Sequence, residues 1–254
     1  MDKTNQERQE DVMGKQYWRG GNMLYPVPAV MVSCGRPEER PNIITVAWAG
    51  TVCSSPAMVS ISVRKERYSY DILKETGEFV INLITRDLTY ATDFCGVRSG
   101  RDVDKFAQMH LTPLPSQHIS APGIAESPVN LECKVTQVIP LGSHDMFLAE
   151  VLGVTVDEKY MDENGKFHLN DAGLVAYSHG EYFELGEKLG KFGYSVAKKQ
   201  AAKTESVTKS AKPSGAGKKA ASAENRTASK TEAGNRRKSA SKTGSADKQK
   251  SRRK

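Results

Sequence analysis

The chain has 254 residues and a formal net charge of +7, from 37 Lys and Arg against 30 Asp and Glu. The excess is local. Residues 198–254 hold 18 Lys and Arg against Glu205, Glu224, Glu232 and Asp247, a net +14, which leaves residues 1–197 at −7. Val207 is the only large apolar residue of that tail, so the tail lacks the surface needed to offset its ordering entropy and is expected to be disordered. The rest suits one domain with a sizeable core: an amino-terminal arm over 1–19, a folded domain over 20–197 and the basic tail over 198–254. The opening run MDKTNQERQEDVMGKQ has no apolar signal core and no later segment is long enough to span a bilayer, so a cytoplasmic protein without membrane contact is expected. Cys34, Cys53, Cys95 and Cys133 lie far apart with no CxxC or Cys/His grouping, which argues against a disulfide framework and against a metal site.

In chain order, strands are predicted over Leu24–Ser33, Asn42–Trp48, Ala57–Arg64, Glu78–Ile84, Asn130–Pro140 and Met146–Asp157, with a short one near Leu174–Tyr177. RYSYDILKETG reads as a helix that begins at Ser69 or just before it and stops at Gly77; LTYATDFCGV and DVDKFAQM read as shorter helices. DENG at Asp162–Gly165 is a turn. Many short strands with few helices point to a mainly-β barrel decorated by helices.

The stretch NIITVAWAGTVCSSPAMVSISVR, Asn42 to Arg64, carries six hydroxyl side chains and no carboxylate. Val59, Ile61 and Val63 alternate with Ser60, Ser62 and Arg64, so one face enters a core and the other offers hydroxyls and a cation. Ile44, Val46 and Trp48 alternate in the same way with Thr45 and Ala47. AGTVCSSP between the two reads as a turn of small residues, with Pro56 opening the second strand. The pair can cradle a phosphate with room for a flat ring beside it, or can simply be a solvated hairpin face.

That stretch, with the following KERYSYDILKETGEFVINL, then SGRDVDKF and GSHDMFLAEV, resembles the flavin reductase-like proteins with an FMN-binding split barrel, the flavoredoxins in particular. The resemblance runs from about Gly20 to Gly190. It implies a mainly-β, Greek-key split β-barrel that forms a homodimer with FMN at the subunit interface. It also implies electron transfer or reduced-nicotinamide chemistry. By the same resemblance, Asn42, Thr45, Thr51, Val52, Cys53 and Ser54 fall where the isoalloxazine edge and ribityl chain are wrapped. Ser62, Arg64, Arg67 and Ser69 fall near the phosphate, where a helix N-terminus also favours an anion. Asn82 and Leu83 follow on the next strand. Ser99, Arg101 and Lys105 lie in a segment placed over the cofactor, and a cation at Lys105 would stabilise the anionic reduced flavin. His144 resembles a histidine on the nicotinamide side and is the one candidate for a direct role in the chemistry. Tyr177 is placed to stack near the flavin. YSHGEYF, with His179 and Glu181, departs from the glycine-rich segment the family often has here, which leaves open whether these two residues alter substrate access on that side.

Several of these residues have plainer uses. Arg67 can pair with Glu66 or Glu75, Arg101 with Asp104, and Ser69 can cap its helix. Asn82 can be satisfied by backbone, and Tyr177 can belong to the core. No Ser–His–Asp order or acidic pair calls for hydrolysis, and no GxGxxG fingerprint is present for a nicotinamide nucleotide. The leading reading is an FMN-dependent oxidoreductase that passes electrons from NADH, NADPH or a redox partner to free flavin or an acceptor protein. The alternatives are an electron carrier without nicotinamide activity and a flavin-binding module without turnover. The tail has no aromatic residue for base stacking, so it is expected to contact nucleic acid or other polyanions only nonspecifically.

Overall fold

The computed structural model describes residues 14–197, so the expectation of a disordered basic tail and most of the arm lie outside the described residues. Two compact units divide at Phe192/Gly193, and the fold concerns the first. Fifteen elements are named: β1 Val27–Pro28, β2 Val30–Cys34, β3 Asn42–Val46, β4 Ala49–Ser54 and β5 Ala57–Arg64 are followed by α1 Tyr68–Thr76. Then come β6 Glu78–Leu83, α2 Thr89–Val97, α3 Lys105–Gln108, β7 Pro113–Leu114, β8 Gly123–Ile124, β9 Val129–Pro140 and β10 His144–Val156. A closing hairpin is β11 Val175–Ser178 and β12 Glu181–Glu184.

Seven strands form one antiparallel sheet in the order β3-β2-β6-β9-β10-β5-β4. Its two edge strands, β3 and β4, are consecutive in sequence and separated only by Ala47 and Trp48. The sheet therefore curls until its edges meet at that corner, where the Ser62 amide donates to the Trp48 carbonyl at 2.9 Å. The result is a barrel with one open seam.

Alternation sorts the side chains. Val30, Val32 and Cys34 of β2, Ile44 and Val46 of β3, and Val59, Ile61 and Val63 of β5 enter the barrel interior with Phe79 and Phe147. Helix α1 plugs one end with Tyr70, Ile72 and Leu73, and stops at Gly77, whose φ of 66° is the left-handed conformation a glycine adopts without a Cβ penalty. Met31 and Ile43 point outward instead and are covered by Leu88, Ala91 and Cys95 of the α2 region and Phe106 of α3. Strands β2 and β3 are thus buried on both faces, which is why they read as nearly unbroken apolar runs.

Two sequence expectations are corrected. AGTVCSSP is not a turn: Ala49–Ser54 is strand β4, paired with β5 and bulged between Thr51 and Cys53. Its small residues suit an edge strand that bends sharply out of the corner. Asn82 is not at a ligand surface either. It is fully buried, its amide nitrogen donates to the Met31 carbonyl (2.9 Å) and the Ser33 hydroxyl (3.0 Å), and its oxygen accepts from the Ile124 amide (2.9 Å) and the Asn130 side chain (2.7 Å). Leu83 packs on the edge of the interior core. Replacing Asn82 with Ala leaves two buried donors without an acceptor, so urea denaturation should show a loss of about 2–4 kcal/mol. A loss below about 1 kcal/mol would mean the network is not the structural tie it resembles.

Candidate functional site

The seam holds a trench made of adjoining lobes. One, of about 200 Å³, lies between the start of α1, the end of α2 and the 98–105 segment. A second, of about 150 Å³, lies between the β3 corner and the end of β5 and shares Ile44 and Arg67 with the first. A third, of about 410 Å³, opens outward and shares Trp48, Ser62 and His144 with the second.

The first lobe is cationic. Arg67, Arg98, Arg101 and Lys105 line it against the carboxylate of Glu66. Arg67 occupies the N-cap position of α1 and no side chain caps that end, so the first-turn amides of the helix face an anion-friendly cavity. Glu66 pairs with Arg64 and Glu75 with Arg36, and Arg67 has no salt bridge among the described residues. Arg101 lies over the Tyr68 ring at 5.3 Å and donates to the Glu66 carbonyl at 3.4 Å, while Asp104 caps α3 instead of pairing with it.

Lys105 is 3 % exposed, and its ammonium donates to the carbonyls of Ile43 (2.6 Å) and Cys95 (2.7 Å). The lysine therefore ties β3 to α2 while lining the cavity. Burial, aided by the Arg67 charge, pulls its pKa down to about 8, even though the Cys95 and Cys34 thiols act in the other direction. Those thiols are themselves pushed up to about 11 by burial. Ser69 is buried and accepts from the Asn42 side chain at 2.7 Å, which fixes the helix start on β3. Gly100 approaches so closely that a Cβ there would lie 2.1 Å from Asn42 Oδ1 and 2.7 Å from Tyr68 Cδ1. This close fit, like Arg98, went unread in the sequence, where the only signal was SG within a polar run.

The second lobe gathers Thr45, Ser62, Arg64, Arg67 and His144. The Thr45 hydroxyl is spent on the Thr92 carbonyl. Burial first and the Arg64 charge second hold the His144 imidazole below its ordinary range, so it is neutral at pH 7, with Nδ1 2.9 Å from the Ser143 hydroxyl. Thr51, Val52, Cys53 and Ser54 line none of the three lobes; they lie on edge strand β4, where Val52 is 51 % exposed. Tyr177 lines none of them either. It packs edge-on against Tyr25 (6.2 Å), which in turn leans on Trp48 (6.2 Å), so it braces the trench wall at one remove. His179 also packs on Tyr25, at 5.9 Å, whereas Glu181 lies at the outer end of the closing hairpin.

Residues 22–186 match the flavin reductase like domain. The chain belongs to that family. Among solved structures it is similar to flavoredoxin of Desulfovibrio vulgaris (Miyazaki F), with 34 % identity and a TM-score of 0.67 over 72 % of this chain and 100 % of that one. Flavoredoxin from Methanosarcina acetivorans shares the fold at 24 % identity and a TM-score of 0.64, over 72 % of this chain and 100 % of that one. An uncharacterized protein of Archaeoglobus fulgidus is 31 % identical over 160 residues, 63 % of this chain and 88 % of that protein. This flavin reductase-like protein is therefore a split barrel and a flavin-related oxidoreductase. No metal-holding group of His, Cys, Asp and Glu exists among its described residues, and no described helix is long and apolar enough to cross a membrane.

The charge of the first lobe varies with pH because one of its cations titrates near 8. An anion beside Lys105 favours the protonated amine, so binding takes up a proton once the pH exceeds that value. Sulfate, which keeps its charge across this range, should bind with constant affinity below pH 8. Above it, affinity should fall by up to about tenfold per unit for one linked proton. Calorimetric titration at pH 7, 8 and 9 checks this; a flat profile would mean that Lys105 does not sense the anion.

Proposed function

We propose that the trench holds FMN, with the terminal phosphate in the cationic lobe and the ring toward Trp48 and His144. The reading rests on one observation above others: a single trench at the barrel seam is cationic at one end and aromatic at the other. The donor set fits a phosphate monoester, since Arg67 and Arg101 flank an uncapped helix start and charge-assisted bonds to phosphate are the strong kind. Bound FMN would supply hydride and one-electron chemistry. The chain's own part is to fix the phosphate, exclude water behind Ile44, and keep a neutral imidazole at the ring end. Lys105 then belongs to the phosphate end, with its charge reaching the ring only at a distance, in contrast to the ring contact expected from sequence. Arg64 lines the middle lobe, Ser62 lines that lobe and the outer one with Trp48 and His144, and Ser69, which lines the cationic lobe, accepts from Asn42 at the helix start.

The activity proposed is transfer of electrons from NADH, NADPH or a redox partner protein to flavin or an acceptor protein. A flavoredoxin-like carrier without nicotinamide activity is the second reading, supported by the 34 % identity to flavoredoxin over 100 % of that chain. Anaerobic addition of NADH or NADPH to the flavin-loaded chain separates the two, since bleaching of the flavin band within turnover time marks an enzyme. Heat extraction and chromatography should return FMN. Arg67→Ala should weaken FMN by about 10- to 100-fold, the cost of one charged hydrogen bond, and leave riboflavin affinity unchanged. Equal loss for both flavins would move the phosphate elsewhere.

We also propose a homodimer, with Thr51, Val52, Cys53 and Ser54 meeting the cofactor across the interface; the exposure of that edge strand supports it. Light scattering should give twice the chain mass, and a monomer holding FMN at full occupancy would overturn it. The +14 tail is proposed to bind polyanions weakly. DNA retention should be lost between 50 and 200 mM salt (roughly the span over which several phosphate contacts are screened) and on truncation after Ala197. Equal retention by both chains would remove the tail from that role.

A further inference from the structure

A cleft of about 540 Å³ lies apart from the seam and shares no lining residue with the three lobes of the trench. Its volume is that of a small-molecule site. Asp87, Glu126, Asp157, Asp171 and Glu184 line it against Arg86 and Lys159, an excess of three negative charges. Both cations are engaged, Arg86 with Glu184 and Lys159 with Asp157 at 2.9 Å. Glu126 accepts from the Thr112 amide at 3.0 Å. The Asp87 and Asp171 carboxylates have neither a salt bridge nor a hydrogen bond among the described residues, and both residues are exposed. Acids alone select nothing, but two further groups point to an organic cation. Thr85 is 9 % exposed and lines the cleft, and its carbonyl accepts from the Thr89 hydroxyl at 3.3 Å. Its own hydroxyl has no partner among the described residues. Asp145 Oδ1 is the only sealed side-chain atom there that lacks one, so the Thr85 hydroxyl opens into the cleft. Tyr160 already carries an ammonium on its face, with Lys159 Nζ 4.8 Å from the ring centroid, so the chain itself seats one alkylammonium here. Leu88, Ala125 and Ala172 supply apolar wall for methylene groups.

We infer that this cleft binds a linear polyamine, ammonium groups joined by short methylene chains, with Asp87 and Asp171 as its counter-charges and the Thr85 hydroxyl as an acceptor for one N–H. Burying a hydroxyl without a partner is costly, and an ammonium donor removes that cost. A bare metal ion is the poorer fit, because no group of three His, Cys, Asp or Glu side chains among the described residues is placed to hold one. The cleft also joins two parts of the fold. The Arg86 amide donates to the Gly173 carbonyl at 3.0 Å, and Thr85 bridges to Leu174 just before β11. An occupant fastens this closing segment, whose Tyr177 braces the trench wall through Tyr25, to the end of β6. The inference does not depend on the FMN reading.

Spermidine and hexaamminecobalt(III), both trivalent, test it by calorimetric titration into the full chain at low salt. The cobalt complex carries the charge without a methylene chain, so a diffuse acidic surface takes the two alike. Spermidine should bind about tenfold or more tighter, through the methylenes and the Thr85 hydroxyl. Asp87→Asn and Asp171→Asn, at exposed positions the fold does not lean on, should each weaken spermidine by about threefold or more, and Thr85→Val by a similar factor. Glu163→Gln, in an exposed turn outside the cleft, should leave spermidine binding unchanged. Saturating spermidine should raise the Tm of the full chain by mass action, and the rise should vanish in the Asp87→Asn/Asp171→Asn double variant. Equal affinities for the two cations would overturn the site. So would no binding of spermidine, a loss in Glu163→Gln equal to that in the cleft variants, or a Tm rise that survives in the double variant.

Discussion

The seam follows from a constraint on strand pairing. A seven-stranded antiparallel sheet with its native twist has two edges, and here one segment, Asn42 to Ser54, supplies both. β3 pairs only with β2 and β4 only with β5, not with each other across Ala47–Trp48, so closure stops at that corner and a gap remains beside it. The trench lies along that gap. The anion end borrows the start of α1, because the helix that plugs the barrel begins where β5 leaves the seam. The aromatic end borrows the start of β10, paired directly with the end of β5 through His144 and Arg64.

Buried polar groups hold the seam in shape. Lys105 joins β3 to α2 through two carbonyls, Asn42 joins β3 to α1 through Ser69, and Tyr70 donates to Asp145 at 2.7 Å to join α1 to β10. Each tie links one wall of the trench to another. Without them the lobes would depend on apolar packing alone, which sets distances loosely and orientations hardly at all. The cationic lobe thus contains both kinds of positive charge: Arg67 and Arg101 beside solvent, and Lys105 engaged in the scaffold itself.

Much of this was legible from periodicity. Ala57–Arg64 is a strand with the inward and outward residues that its alternation assigns, and the helix stopping at Gly77 needed only the glycine. Ala49–Ser54 was not legible, because Gly, Ser and a following Pro give the same signal for a turn as for a bulged edge strand. The site residues divide by range. Arg67 and Ser69 are adjacent to a helix start and could be read locally, whereas the Lys105 bond to Ile43 and the Asn82 bond to Ile124 span 62 and 42 positions. A single sequence carries no signal for such pairings. The fit of Gly100 has the same character, since it is to Asn42, 58 positions away.

The brace behind Trp48 has a consequence for biosynthesis. Tyr25 and Trp48 are made early, but the groups that steady them, Tyr177 and His179, belong to the last hairpin of the fold. The barrel strands can all pair once β10, which ends at Val156, has left the ribosome, while the aromatic wall remains unsupported until the chain has reached His179, 23 residues further on. The pocket is therefore finished by the end of the domain and not by its beginning. A nascent barrel halted before that hairpin has its sheet and its cationic lobe but no braced indole.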